Sequence, residues 1–276
     1  MASSPVSKLL RAPTDGFALS GVDAGGTPGV KSKKTARAET EAIAEPLFGL
    51  QERLYAERER SVLIVLQGMD TSGKDGAVKR AVGSLNPAGV RITAFKAPTD
   101  AEKRLGFLGR IRRELPGPGE IAVFNRSHYE DVGIVRVHGW ASPAVIERRY
   151  ADINRFEEEV AKSGTTIIKC FLHISFEEQR ERLLARLDDP AKHWKFNPKD
   201  LDERALWSDY MAAYEIAIDR CNTDRAPWYV VPADHKWYRD WALTNLLRET
   251  MDRLDPQYPK PRLNLRALRK RLGETA

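Results

Sequence analysis

Cysteine is scarce in this chain: 276 residues hold two, Cys170 and Cys221. They share no pairing motif and no metal-ligand spacing, which argues against a disulfide scaffold or a cysteine-bound zinc, and buried free thiols in a reducing cytosol are expected. Histidine is sparse too, at five. His128 and His173 have neither metal spacing nor an adjacent serine–acid pair, so no chemistry is assigned to them. No apolar run approaches the ~18 residues of a membrane-crossing helix. The opening "MASSPVSKLLRAPTDG" lacks the long apolar core of a secretory signal, so a cytoplasmic protein without a membrane partner is expected. No internal repeat is found.

What is present is an ordinary globular composition, 42% hydrophobic and 30% charged, with a net charge of +6 and a pI near 9.3. The basic balance favours polyanionic partners without choosing among nucleic acid, nucleotides and other phosphates. Residues 1–34, rich in Ser, Pro, Gly and Ala with a basic "VKSKK", are expected to wrap the surface or stay mobile as a flexible segment, and 35–276 to form a single domain. Leu47, Leu50 and Leu54 give residues 35–59 a helical period, which Pro46 is expected to kink or split. Five apolar runs then read as strands: 61–67, 90–96, 120–125, 165–175 and 228–233. Helical patterns separate them, the clearest running from a Ser142 cap and Pro143 to Gly164. This alternation predicts an α/β fold with a five-stranded parallel sheet and helices on both faces. The long charged helical stretch of about 176–222 predicts a lid over the carboxyl ends of the strands.

The first strand runs into "GMDTSGKDG", a GxxxxGK loop followed by a helix, which is the context a phosphate-binding loop requires. Gly68, Thr71, Ser72, Gly73, Lys74, Asp75 and Gly76 would ring a phosphate with backbone N–H groups, and Lys74 would reach its outer oxygens. Asp75 stands where a hydroxyl residue is usual; an acid in the first helical turn suits the dipole. Asp70 would repel phosphate unless a divalent cation lies between, so it is assigned as a magnesium ligand. A second acidic segment, "IAVFNRSHYED", leaves the third strand. It places Asn125, Arg126, Glu130 and Asp131 where a further metal- or phosphate-binding motif is expected, with Arg126 offering a bidentate fork.

Together "GMDTSGKDG", "FNRSHYEDV", "QRERLLARLDDPAKHWKF" and "APWYVVPADHKWYR" resemble the second family of polyphosphate kinases over about residues 28–255. The "NRSHYED" form looks most like its class III, which phosphorylates nucleoside mono- and diphosphates. The resemblance implies a P-loop kinase-like three-layer fold with a helical lid, inorganic polyphosphate and adenine or guanine nucleotides as substrates, and Mg2+ (or Mn2+) as cofactor. It also implies a homodimer or homotetramer, and phosphate-loop roles for Gly68, Asp70, Gly73 and Lys74. Metal or phosphate roles follow for Asn125, Arg126 and Asp131, with Asp70 and Asp131 as metal ligands. Arg182 and Arg186 become phosphate-clamping lid arginines. Gly109 and Gly133 depart from the family pattern, where tryptophan and leucine are expected.

Basic stretches fit a polyanionic substrate. Residues 103–113 hold five basic side chains and no acid, and the lid adds Arg182, Arg186, Lys192 and Lys195. Arg182 and Arg186, four apart, share a helix face. A lined channel of cations suits linked phosphates better than one nucleotide. Trp194, Trp207 and Tyr214 are assigned to packing, and "DHKWYRDW" to a structural C-terminal segment. No nucleic-acid partner is expected.

Overall fold

An apolar run without alternation is stable as a strand only when both faces are covered. The computed structural model, which describes residues 4–274, is arranged accordingly. Its strands are β1 (Ser61–Gln67), β2 (Val90–Ala94), β3 (Ile121–Asn125), β4 (Thr165–His173) and β5 (Trp228–Pro232). All pair in parallel, in the order β2-β3-β1-β4-β5. The central strand β1 is buried at every position. The edge strand β2, which pairs only with β3 among the described strands, differs from the expected buried run: Arg91, Ile92 and Ala94 are exposed.

The helices are α1 (Val6–Leu10), α2 (Lys33–Glu57), α3 (Lys74–Ala81), α4 (Asp100–Lys103), α5 (Gly109–Arg113), α6 (Ile134–Val137), α7 (Pro143–Lys162), α8 (Phe176–Leu187), α9 (Lys199–Ala205), α10 (Trp207–Arg220), α11 (Lys236–Leu254) and α12 (Leu265–Gly273). Side chains alternate across the sheet. Ile64, Leu66, Ile168 and Cys170 meet α3 and α11 on one face, and Lys169 meets α7 on the other. The result is a three-layer α/β sandwich. Cys170 and Cys221 are free and buried, and burial pushes both thiols up, Cys221 to about 12.

The structure bears on three local expectations. Pro46 does not divide α2, which runs unbroken for 25 residues. The proline removes one N–H donor, but Leu47, Leu50 and Leu54 bury the helix's inner face where it packs on α11. Ser142 caps α7 by position without a side-chain capping bond. The N-terminal segment, expected to be flexible, is packed from Pro5 onward. Val6, Leu10, Phe17, Leu19 and Val30 belong to the core. The Ala12 N–H donates to the Trp228 carbonyl (2.9 Å), Arg11 bridges to Tyr229, and Glu249 accepts from the Val6 and Ser7 N–H groups (2.6 and 3.0 Å). The segment thus closes the β5 edge, which would otherwise offer unpaired backbone groups to another chain.

Between β4 and α7 lies a dry polar cluster. The Lys169 ammonium donates to Glu157 Oε2 (2.6 Å), the Tyr129 hydroxyl (2.8 Å) and the Cys221 carbonyl (2.6 Å). Glu157 Oε1 also accepts from Tyr129 (2.8 Å) and lies 3.1 Å from His128 Nε2. His128 and Tyr129 are thereby fixed to the sheet, two and three residues beyond Arg126. Lys169→Ala is expected to cost about 3–5 kcal/mol in denaturant unfolding, because it strands Glu157 as a buried charge. Burial alone would raise the Glu157 carboxyl, but Lys169 and His128 hold it below the usual range. Its contribution is therefore complete above about pH 5 and lost as the pH falls below the ordinary glutamate value near 4.3. A denaturant midpoint indifferent to acid, or to Lys169→Ala, would contradict this.

Candidate active site

The loop between β1 and α3 can turn as it does only with its glycines. Gly68 has φ +150°, and a Cβ there would lie 2.7 Å from the Leu172 carbonyl oxygen and 2.8 Å from Ser72 Oγ. Gly73 (φ +96°) starts α3 from a left-handed conformation, and its missing Cβ leaves room for the Arg239 guanidinium. Thr71, at φ 67°, is held in the same region without glycine's freedom. Strain of this kind persists where the surroundings enforce it. The Thr71 and Ser72 hydroxyls are buried with no hydrogen-bond partner. Unpartnered hydroxyls beside a helix N-terminus suit an anion seated there.

The Lys74 ammonium folds back onto the Gly68 and Met69 carbonyls (2.7 and 3.1 Å). Burial lowers its pKa, opposed chiefly by Asp70. Arg126, itself at φ 64°, donates to Asp70 Oδ1 at 2.7 Å. Burial would raise the Asp70 carboxyl, but Lys74, Arg126 and Arg186 outweigh it and hold it below the usual carboxylate range. Despite burial, Arg126 is raised by Glu130 and Asp70. Asn125 Nδ2 donates to Asp75 Oδ1 (2.7 Å), so the end of β3 pins the first turn of α3. Asp75 therefore has a fixed partner as well as a favourable place in the helix dipole.

These groups open on a cavity of about 490 Å³ at the carboxyl ends of the strands. Asp70, Thr71, Gly73, Lys74, Asp75, Gly76, Asn125, Arg126, Arg182, Arg186, Lys192 and Lys195 all line it. Gly68 and Ser72 lie behind this wall. Glu130 accepts from Gln67 Nε2 (3.0 Å) away from the lining. Asp131 is the main departure. It does not line the cavity; its carbonyl accepts from Arg149 (2.7 Å), its carboxylate lies 3.8 Å from the same guanidinium, and burial raises its pKa. The 3₁₀ turn His128–Asp131 carries its side chain toward α7 rather than toward the loop.

The assigned metal pair is thus not brought together, and no three His, Cys, Asp or Glu side chains converge among the described residues. Among the described residues, Asp70 and Asp75 are the carboxylates on the cavity wall. Magnesium takes one or two protein carboxylates, keeps waters and draws its other ligands from substrate phosphates, so this donor set fits it.

Arg182 also differs from a free phosphate clamp. It is 8% exposed, and its guanidinium donates to Glu178 (2.7 Å) and to the carbonyls of Thr71 (2.9 Å), Ala233 (2.6 Å) and Asp234 (2.9 Å). It braces α8 against the loop and the end of β5. Arg186 is freer, bonded to the Lys195 carbonyl (3.0 Å) and Asp200 (3.3 Å). Sequence reasoning missed Lys96, Lys236 and Arg239. Lys96 and Lys236 join the lining, each just past a strand's carboxyl end, a position that signals ligand contact. Arg239, 4% exposed and tied to Asp240, backs Gly73 and Gly76.

Arg182→Ala is expected to lower stability by about 2 kcal/mol or more, since buried carbonyls and Glu178 lose their donor. Gly73→Ala is expected to perturb the loop, by steric conflict with Arg239 and a strained φ. Equilibrium unfolding of both variants checks this, and an Arg182→Ala midpoint equal to the parent would refute the brace.

Residues 30–259 match the family model described as polyphosphate kinase 2 (PPK2). The chain is 46% identical over 256 residues to the AMP/ADP-polyphosphate phosphotransferase of Meiothermus ruber, covering 92% of this chain and 96% of that one. It is 41% identical to the ADP-polyphosphate phosphotransferase of Rhodopseudomonas palustris over 78% and 79% of the two chains. The crystal structure of polyphosphate kinase 2 from Arthrobacter aurescens superposes with a TM-score of 0.96 at 47% identity, covering 99% of this chain and 98% of that one. With a glycine-shaped anion loop, a cation-lined cavity and a match spanning the sheet and lid, the chain belongs to the polyphosphate kinase 2 family.

Proposed function

We propose that the chain transfers a phosphoryl group between inorganic polyphosphate and adenine nucleotides, accepting both AMP and ADP. The observation that carries this is the balance of charge in the cavity. Eight cations (Lys74, Lys96, Arg126, Arg182, Arg186, Lys192, Lys195 and Lys236) line it, Arg182 as a brace, with the carboxylates Asp70 and Asp75 on the wall and Glu130 and Asp200 acting on Arg126 and Arg186, so that cations outnumber acids about two to one. One nucleotide needs a few such groups, whereas a run of linked phosphates needs a lined wall. Acceptance of both nucleotides rests on the "NRSHYED" segment and on the high similarity to a relative named for AMP and ADP.

A phosphate oxygen of the nucleotide attacks the terminal phosphorus of the polymer, and the anhydride P–O bond to the next phosphate breaks. The shortened polymer leaves with that oxygen. The attacking phosphate is already ionised, so no general base is required, and positioning with charge neutralisation carries the catalysis. Lys74, Arg126 and Arg186 face the cavity to stabilise charge on the transferred group, Arg182 holds α8 in register with the loop, and the lid excludes water. Magnesium, held by Asp70 with Asp75, would neutralise the donor and acceptor oxygens.

Purified protein given polyphosphate, magnesium and AMP, with no ATP, is expected to form ADP and then ATP. Absence of both, or ADP formation that requires ATP, would overturn the proposal. Lys74→Ala is expected to lower the rate by about 10²–10³-fold, and Asp70→Asn to raise the magnesium needed for half-maximal rate by about 10-fold or more. An unchanged magnesium titration would remove Asp70 from the metal.

A further inference from the structure

The glycine that ends "GMDTSGKDG" has no backbone reason to be one. Gly76 lies inside α3 without a left-handed φ, where glycine is less stable than alanine. The reason is steric. A Cβ on Gly76 would lie 3.0 Å from Arg239 Nη2, and one on Gly73 would overlap Arg239 Nη1. The two missing side chains leave a notch at the start of α3, and the Arg239 guanidinium fills it from α11. Its Nε and Nη2 donate to Asp240 Oδ1 (2.9 and 2.5 Å). Nη1 is left beside Gly73 with no hydrogen-bond acceptor among the described residues, on a side chain only 4% exposed.

Positive charge is crowded around this notch. Arg182 Nη1 would stand 3.7 Å from the same Cβ of Gly73, and Lys236, three residues before Arg239, lines the cavity. Glu178 and Asp240 each hold one guanidinium, whereas Lys236 has no ion pair among the described residues. Burial lowers the pKa of Lys236, and Arg182 and Arg239 add to that effect against Glu178. Lys236 opens α11, whose first turn holds no acid, and Arg239 reaches the start of α3. Helix N-termini already carry partial positive charge, so buried cations beside them are disfavoured until an anion is bound.

We propose that Arg239 is a positioning residue for the phosphate loop. Asp240 aims its guanidinium into the notch of Gly73 and Gly76, where it fixes the start of α3 and adds its charge behind the anion that the loop holds. Lys74 and Arg126 meet that anion from the cavity, while Arg239 acts through the loop and touches no substrate. The role deepens the function proposed above, since it rests on the cavity taking linked phosphates.

Titration calorimetry of the full chain with magnesium and inorganic tripolyphosphate, beside thermal unfolding without ligand, tests this. Arg239→Met with Asp240→Asn removes the ion pair as a unit and strands neither charge. It is expected to weaken tripolyphosphate binding about 10-fold or more. The unliganded paired variant is expected to unfold no earlier than the parent, because exchanging a buried ion pair for neutral groups of similar volume is often neutral or stabilising. Arg239→Lys keeps the charge without the planar fork and is expected to bind at most about 3-fold more weakly than the parent. Binding by the paired variant equal to the parent's would overturn the role of Arg239 and leave the cavity's function standing. Earlier unfolding with unchanged affinity, or an Arg239→Lys variant as weak as the paired one, would make Arg239 a packing residue and also overturn the proposal. A parent that binds no tripolyphosphate would remove the phosphate reading of the cavity, and this role with it.

Discussion

The rest of the site depends on one carboxylate held among cations. Asp70 sits in a loop shaped for anions, 2.7 Å from Arg126 and within the field of Lys74 and Arg186, and those charges keep it ionised against the effect of burial. A loop that bound phosphate through amides and a lysine alone would gain nothing from this acid. On the function proposed above, a divalent cation held at Asp70 would turn that repulsion into attraction. The arrangement also orders the site: Arg126 is aimed by Asp70, and Lys74 rests on the Gly68 and Met69 carbonyls.

The surrounding structure keeps these groups in place. The strained backbone at Thr71 and Arg126 persists because β1, β3 and β4 are paired along their lengths. Behind Arg126, His128 and Tyr129 are locked by Glu157 and Lys169 in a cluster sealed from water. On the other side, Arg182 ties α8 to Thr71 and to the end of β5. Helix α8, the loop and the last strand are thus joined through one guanidinium.

Much of this was legible in the sequence, and the exceptions have physical reasons. Buried parallel strands announce themselves as unbroken β-branched runs, and the GxxxxGK string after such a run locates the loop. Local signals misled where tertiary contacts prevailed. Pro46 costs one hydrogen bond that the buried leucines of α2 outweigh. The Ser- and Gly-rich N-terminus is ordered by the bare edge of β5 and by Glu215 and Glu249, which lie more than 190 residues away along the chain. Spacing cannot say which way a 3₁₀ turn will aim its acids, so Asp131 reads as a neighbour of Asp70 although it faces Arg149. Nor can it show that the guanidinium of Arg182 is already occupied by backbone carbonyls. Lys96 and Lys236 carry only a positional signal, just past the ends of β2 and β5.

The central claim is that the cation-lined cavity carries a phosphoryl group from polymer to nucleotide without giving it to water. Polyphosphate labelled in its terminal phosphoryl group, incubated with the protein, magnesium and AMP, tests that claim directly. The account predicts that, in the first transfer from each labelled end, the label enters the β-phosphoryl group of ADP, one labelled group per ADP formed, with little inorganic phosphate released. Label found chiefly in inorganic phosphate, or retained on the polymer while the nucleotide is phosphorylated from another donor, would contradict it.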